Sequence, residues 1–239
     1  MSGRPTPEPA KSFKKSVFRE YLESIVVAVI LALFIRTFAV QAFKIPTGSM
    51  EPNLLIGDHL LVNKLVYSPS FGPLESTLFG KRPIARGHVV VFKFPEDPTR
   101  DFIKRVIGLP GETIEIRNKQ VFVNGKAIDE PYAHFIDAPL RPDDPEYSHA
   151  SDELRDSWGP QTVPAGQLLV LGDNRDNSRD SRFWGFLPVD QVKGRALLVY
   201  WSYEATREEY HRTGIVEWVR DTLSAFGRTR WRRFFHVIR

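Results

Sequence analysis

The sequence predicts a mainly β protein: an N-terminal transmembrane helix, then an antiparallel β-sheet domain with a smaller β subdomain inserted into it. Seven short runs rich in β-branched and aromatic residues recur from His59 onward, the pattern of strands rather than helices. Eighteen prolines and 16 glycines among 239 residues favour many turns over long helices. The one long apolar run, Ile25 to Ile35, stands near the N-terminus, apart from the β-rich region. A hydrophobic content of 42% is enough for a buried core.

Residues 1–20 read as a polar tail. Through Tyr21 the chain carries a net +3, and Arg228 to Arg239 adds five arginines and no acid, so the remainder has a net −4. A nucleic-acid surface should run through the folded part, whereas charge gathered at the two ends points to membrane flanks and lipid. No nucleic-acid partner is expected. The absence of cysteine excludes disulfides, thiol catalysis and cysteine-based zinc sites, and no HExxH or similar ligand spacing marks a metal centre. Neither a metal nor another cofactor is expected.

Residues 21–40 are expected to anchor the chain in a membrane. Ile25 to Ile35 alone covers only about 16 Å at roughly 1.5 Å per residue, against a hydrocarbon core of roughly 30 Å. The longer window suffices if Glu23 lies at one interface and Arg36 snorkels to the other. Lysine and arginine are denser before it than in the twenty residues after it, which puts the N-terminus in the cytoplasm and the rest outside. A buried core helix is one alternative. A cleaved signal peptide is another, because Val40-Gln41-Ala42 offers the small residues of a processing site. Apolar character continuing through Phe38, Phe43 and Ile45 favours an anchor that is kept.

The strands expected beyond it are His59–Val66, Val89–Phe94, Phe102–Ile107, Thr113–Arg117, Gln120–Val123, Leu168–Leu171 and Val192–Ser202. Asn124-Gly125 signals a tight hairpin, since both central positions of a type I′ turn need positive φ. Ile136 to Pro164, rich in Asp, Pro and Ser, reads as a long surface excursion. Residues 112–167 are therefore expected as an insertion into a β domain built from 41–111 and 168–239.

Two segments draw attention chemically. Between apolar flanks, Asp173 to Arg182 is ten consecutive polar side chains, a structured turn in which Asp, Asn and Ser bond their own backbone and three Arg among three Asp allow charge-assisted pairing. In Phe102-Ile-Lys-Arg-Val-Ile107, alternation puts Phe102, Lys104 and Val106 on one face and Arg105 on the other. Lys104 then points into apolar surroundings. A lysine acting as a base near neutral pH needs its pKa brought down by roughly three pH units, worth about 4 kcal/mol, and burial acts in that direction. Just past the apolar run, Pro46 and Gly48 shape a tight path from which Ser49 projects.

Together, IPTGSMEPNLLIGDHLLVNK, RGHVVVFKFPEDP, DFIKRVIGLPGE and GDNRDNSRDSRFWGFLP, in this order after an apolar segment, resemble the bacterial type I signal peptidases, membrane-anchored serine proteases with a Ser/Lys dyad. RWRRFFHVI resembles the family's terminal segment. The resemblance implies an endopeptidase of the bacterial inner membrane, single-pass, with its catalytic β domain outside the cytoplasm. It would remove the signal peptides of exported preproteins, which end in small residues. It implies Ser49 as nucleophile, Lys104 as general base and Ser178 as the residue orienting that base. Thr47 falls where many relatives have serine, whose hydroxyl joins the Ser49 backbone N–H in an oxyanion hole. Gly172 matches a close-approach glycine, and Asp180 with Arg182 an ion pair supporting the site. Substrate would add as a strand, with Ile45, Met50, Leu54, Phe102 and Ile103 as candidates for shallow apolar pockets. Asn53 and His88 depart from the family's usual threonine and acid. A Ser/His/Asp triad using His88 has no second motif behind it. Two rival readings are a non-catalytic tethered β domain and a self-cleaving Ser/Lys regulator acting on DNA; the latter lacks DNA-binding helices.

Overall fold

The computed structural model describes residues 17–64, 83–136, 155–205 and 227–238. Residues 1–16 of the expected tail and 137–154 of the expected excursion lie outside them, as do Leu65 and Val66 at the end of the first expected strand. The chain divides into two compact units, Met1–Phe38 and Ala39–Arg239.

In the first unit, α1 runs from Val17 to Phe34 and passes into a π-helical turn, Ile35–Ala39. Arg19 and Glu23 pair one turn apart at 2.9 Å, a spacing that supports an exposed helix. Its apolar residues are exposed all round, from Val17 and Phe18 through Ile25, Ile30 and Phe34. Among the described residues, no helix is long and apolar enough to cross a membrane.

The expected 21–40 helix ends early because Val40 belongs to β1 (Val40–Lys44). That strand pairs with β2 (Asp58–Asn63) in five consecutive register positions, from Val40 with Asn63 to Lys44 with His59. Five paired residues outweigh the local tendency to continue a helix, as tertiary context commonly does.

The second unit is mainly antiparallel β. The remaining strands are β3 (Val89–Phe94), β4 (Asp97–Gly108), β5 (Thr113–Arg117), β6 (Gln120–Val123), β7 (Lys126–Ala127), β8 (Trp158–Thr162), β9 (Gln167–Leu171), β10 (Leu187–Pro188), β11 (Val192–Ser202) and β12 (His236–Val237). The larger sheet has the order β1-β2-β11-β3-β4-β9-β10, with β12 added on β11. Its two faces bury different clusters: Ile45, Met50, Leu54, Val89, Val91 and Ile103 on one, Val90, Phe92, Val106, Leu168 and Leu187 on the other. Cover on both faces explains why Ile103 to Gly108 are all buried rather than alternating. Lys104 and Arg105 are both inside.

The smaller sheet, order β7-β6-β5-β8, packs Ile114, Ile116, Val121 and Trp158 against Ile107, Leu169 and Leu171 of the larger one. Asn124 and Gly125 adopt φ of 51° and 78° between β6 and β7, the hairpin turn expected from the sequence. β8 corrects the reading of Ile136–Pro164 as a structureless excursion. Trp158 anchors it in the core, and its Gly159-Pro160 pair, which hides the strand pattern, is tolerated because β8 lies at a sheet edge. The C-terminal segment packs on the β domain: β12 pairs with β11 at Val199 and Leu198, and Ile238 joins the core.

Candidate active site

Ser49 sits in the connection between β1 and β2, and that connection is tied at both ends. Ile45 N–H donates to Asp58 C=O, and Gly57 N–H donates back to Ile45 C=O. Inside it, Glu51 N–H donates to Gly48 C=O and Leu54 N–H to Met50 C=O, so Gly48 to Leu54 forms two overlapping turns. The Asp58 carboxylate accepts from Leu55 N–H and is gripped by Arg233 at 2.6 Å. Lys104 lies on β4, paired with Val90 of β3. Ser49 Oγ and Lys104 Nζ are 2.6 Å apart, each residue only 1% exposed. The ammonium carbon stem runs along Phe102, whose ring centroid is 5.4 Å from Nζ.

The polar block after β9 holds these two strands of chemistry together. Asn174 N–H donates to Ser49 C=O at 3.1 Å, and its side-chain amide donates to Gly48 C=O at 3.2 Å. Gly172 permits this approach, because a Cβ there would lie 2.5 Å from Ser49 C=O and would overlap the Ser178 hydroxyl. Ser178 is buried beside it. Its Oγ makes no hydrogen bond of regular geometry among the described residues, while lying close enough to the Asp180 carboxylate to help keep it ionised.

Asp180 caps a short helical turn, α2 (Ser181–Trp184), accepting from Arg182 N–H at 3.3 Å. It forms a bidentate pair with the Arg182 guanidinium at 2.8 and 2.9 Å, and accepts from Gly172 N–H at 3.0 Å. Full burial pushes its carboxyl up, but the Arg182 charge and these hydrogen bonds prevail and hold it below the usual range. The pairing is otherwise not internal to the block. Asp173 takes a bidentate bond from Arg105 of β4, Arg175 makes one to Glu130, and Arg179 reaches Glu96 at 2.5 Å. The block is a junction between elements distant in sequence, which composition did not reveal.

A cleft of about 530 Å³ opens beside the pair, lined by β1, by Ile45 to Thr47 and Ser49, and by Thr99 to Lys104. Thr47 is half-buried on its wall. Of the apolar residues suggested for substrate pockets, Ile45, Phe102 and Ile103 line it. Met50 and Leu54 do not: both are fully packed in the core beneath the serine turn. His88 Nδ1 accepts from Ala85 N–H in a local turn. Sequence reasoning missed Arg105, Asp173, Glu130, Asn174, Asp58 and Arg233 as a supporting set, since each is defined by a partner far along the chain.

The signal peptidase, peptidase S26 family profile matches residues 18–201. The chain belongs to that family. As a member of the signal peptidase family it is a serine endopeptidase that removes signal peptides. It is 40% identical over 214 residues to a signal peptidase I of Leptolyngbya laminosa, covering 84% of this chain and 91% of the relative. It is 32% identical over 242 residues to a signal peptidase I of Pseudomonas aeruginosa, covering 88% and 84%. A crystal structure of a signal peptidase I from Enterococcus faecalis matches 48% of this chain and 97% of its own, at 32% identity and a TM-score of 0.35.

Proposed function

We propose that this signal peptidase works through Ser49 as nucleophile and Lys104 as general base, on the signal peptides of exported preproteins. The observation that carries the reading is the 2.6 Å contact between two side chains shut off from solvent. Burial disfavours an ammonium ion, and a neutral amine at this distance can take the Ser49 proton as Oγ attacks the scissile carbonyl. The oxyanion accepts from the Ser49 N–H and the Thr47 hydroxyl. A single such donor is worth about 3 kcal/mol in the transition state. Lys104 passes its proton to the leaving amine, and the acyl-enzyme is then hydrolysed by a water that Lys104 deprotonates. Ser178 orients the amine, Gly172 makes room for both serines, and Asp180 with Arg182 keeps their backbone in place.

Substrate enters as an extended strand in the cleft between β1 and β4. β1 is an edge strand, and β4 pairs with β9 only from Arg105 onward, so main-chain groups at Asp101 to Lys104 face the cleft. Such edges suit strand addition. Ile45 and Ile103 shape pockets for small side chains. The body of the enzyme is 41–111 with 168–239, and 112–167 is an insertion, a division supported by the separate small sheet. α1 and the turn after it anchor the protein in the inner membrane with the N-terminus cytoplasmic and residues 1–20 as tail. The uncovered apolar surface of α1 supports a lipid partner.

Incubating a preprotein with purified enzyme and sequencing the product's N-terminus tests the mechanism. Ser49→Ala and Lys104→Ala should each abolish cleavage, and the wild-type rate should rise with pH as Lys104 loses its proton. Cleavage retained by either variant removes the dyad.

A further inference from the structure

Asn53, four residues beyond the nucleophile, uses every polar group it has. Its side-chain amide donates one hydrogen to Tyr132 C=O at 2.7 Å and the other to the Asp173 carboxylate at 2.9 Å. Its own C=O accepts from Arg233 at 2.8 Å. The same Asp173 carboxylate holds Arg105 through two bonds of 2.7 and 2.6 Å. Arg105 is the residue after Lys104, so its guanidinium fixes the strand from which the base projects. The residue after Asp173, Asn174, holds Ser49 C=O. One buried carboxylate thus receives both the turn that carries the nucleophile and the strand that carries the base.

We infer that Asn53 is a positioning residue for the Ser49–Lys104 pair, locking the nucleophile's turn to the carboxylate that also anchors the base's strand. The inference rests on the Ser/Lys mechanism proposed above. Asp173 can grip Arg105 whatever stands at residue 53, but only a side chain with two donors reaches both it and Tyr132 C=O. Neither bond touches the reacting atoms or the cleft, since Asn53 does not line the cleft. It lines a second cavity of about 630 Å³, bounded by Leu54, Arg105, Tyr132 and Phe235 to Ile238. Truncating Asn53 therefore lets water reach the two vacated acceptors, and the β domain can stay folded while the turn gains play.

The experiment uses full-length enzyme in detergent, a preprotein substrate, and thermal unfolding of each variant. Asn53→Ala should lower kcat by roughly 10- to 100-fold, the scale of a misplacement of about 1 Å. KM should stay within roughly threefold, because the cleft is untouched. Asn53→Asp should lose at least as much, since a carboxylate cannot donate to Asp173 and repels it. If Asn53→Ala does not fold, Asn53→Thr, which keeps one donor, decides instead: a several-fold loss of kcat at constant KM supports the inference. Wild-type kcat in the folded variant, or a rise in KM that accounts for the whole loss, overturns it. Ser49→Ala and Lys104→Ala run alongside separate the two levels. Activity in those variants sinks the dyad itself, whereas inactive dyad variants beside a fully active Asn53→Ala sink only the role of Asn53.

Discussion

Adding one methyl group at Gly172 should stall the enzyme more than it unfolds it. An alanine Cβ there would stand 2.5 Å from both Ser49 C=O and Ser178 Cβ and would overlap the Ser178 hydroxyl. Ordinary carbon contacts lie at about 3.5 Å, so something must yield by roughly 1 Å. The 172 backbone cannot easily retreat, because Gly172 N–H is held by Asp180 and its C=O by Arg175. The yielding parts are therefore Ser49 and Ser178. Overpacking of this kind costs about 1–3 kcal/mol, which for a domain of this size lowers Tm by roughly 2–12 °C. A shift of about 1 Å at the nucleophile costs about a hundredfold in rate. Preprotein cleavage should be followed at a temperature well below the variant's own transition, with Tm from calorimetry. A Gly172→Ala enzyme with wild-type kcat would show that Ser49 and Ser178 are not confined there, and the argument for this glycine would fail.

Asp180→Asn removes one charge from a pair in which both partners are buried, leaving Arg182 uncompensated, and should cost about 3–5 kcal/mol by denaturant unfolding. The same pair governs acid stability. Because the folded carboxyl titrates below its unfolded value of 3.8, its stabilisation is present above that pH and fades as pH drops through the lower, folded value. Stability curves of wild type and Asp180→Asn should therefore converge in strong acid, and parallel curves down to pH 2 would refute this. Arg233→Ala strips the partner from Asp58, whose side chain is wholly buried, and should cost about 3 kcal/mol and loosen the serine turn. Unchanged stability together with unchanged cleavage would count against the clamp.

The strands and the reactive pair were legible for different reasons. Val89–Phe94 and Thr113–Arg117 are marked by dense β-branched residues, and Asn124-Gly125 by turn chemistry that few other residues satisfy, so local sequence is enough. β1 was hidden by the apolar run before it, since Val40 and Ala42 suit a helix as well as a strand until Asn63 and Leu61 are seen opposite. β8 was hidden by Gly159 and Pro160. At the site, Ser49, Lys104 and Gly172 were recognised from ordered blocks of residues. The ion pairs around them were not, because charge pairing depends on which strands meet. Asp173 looks the same whether its partner is Arg175 two residues away or Arg105 on β4. Met50 and Leu54 illustrate the converse: flanking a nucleophile says nothing about which way an apolar side chain points.

Arg233 meets Asp58 across 175 positions and Asn53 across 180. A growing polypeptide will have emitted its nucleophile long before the guanidinium that steadies it exists. Contacts of such span form late in folding, so the hydrolytic machinery is completed only when the final stretch of the sequence lies down on β11. Premature proteolysis by a half-made chain is thereby disfavoured by the wiring of the fold itself.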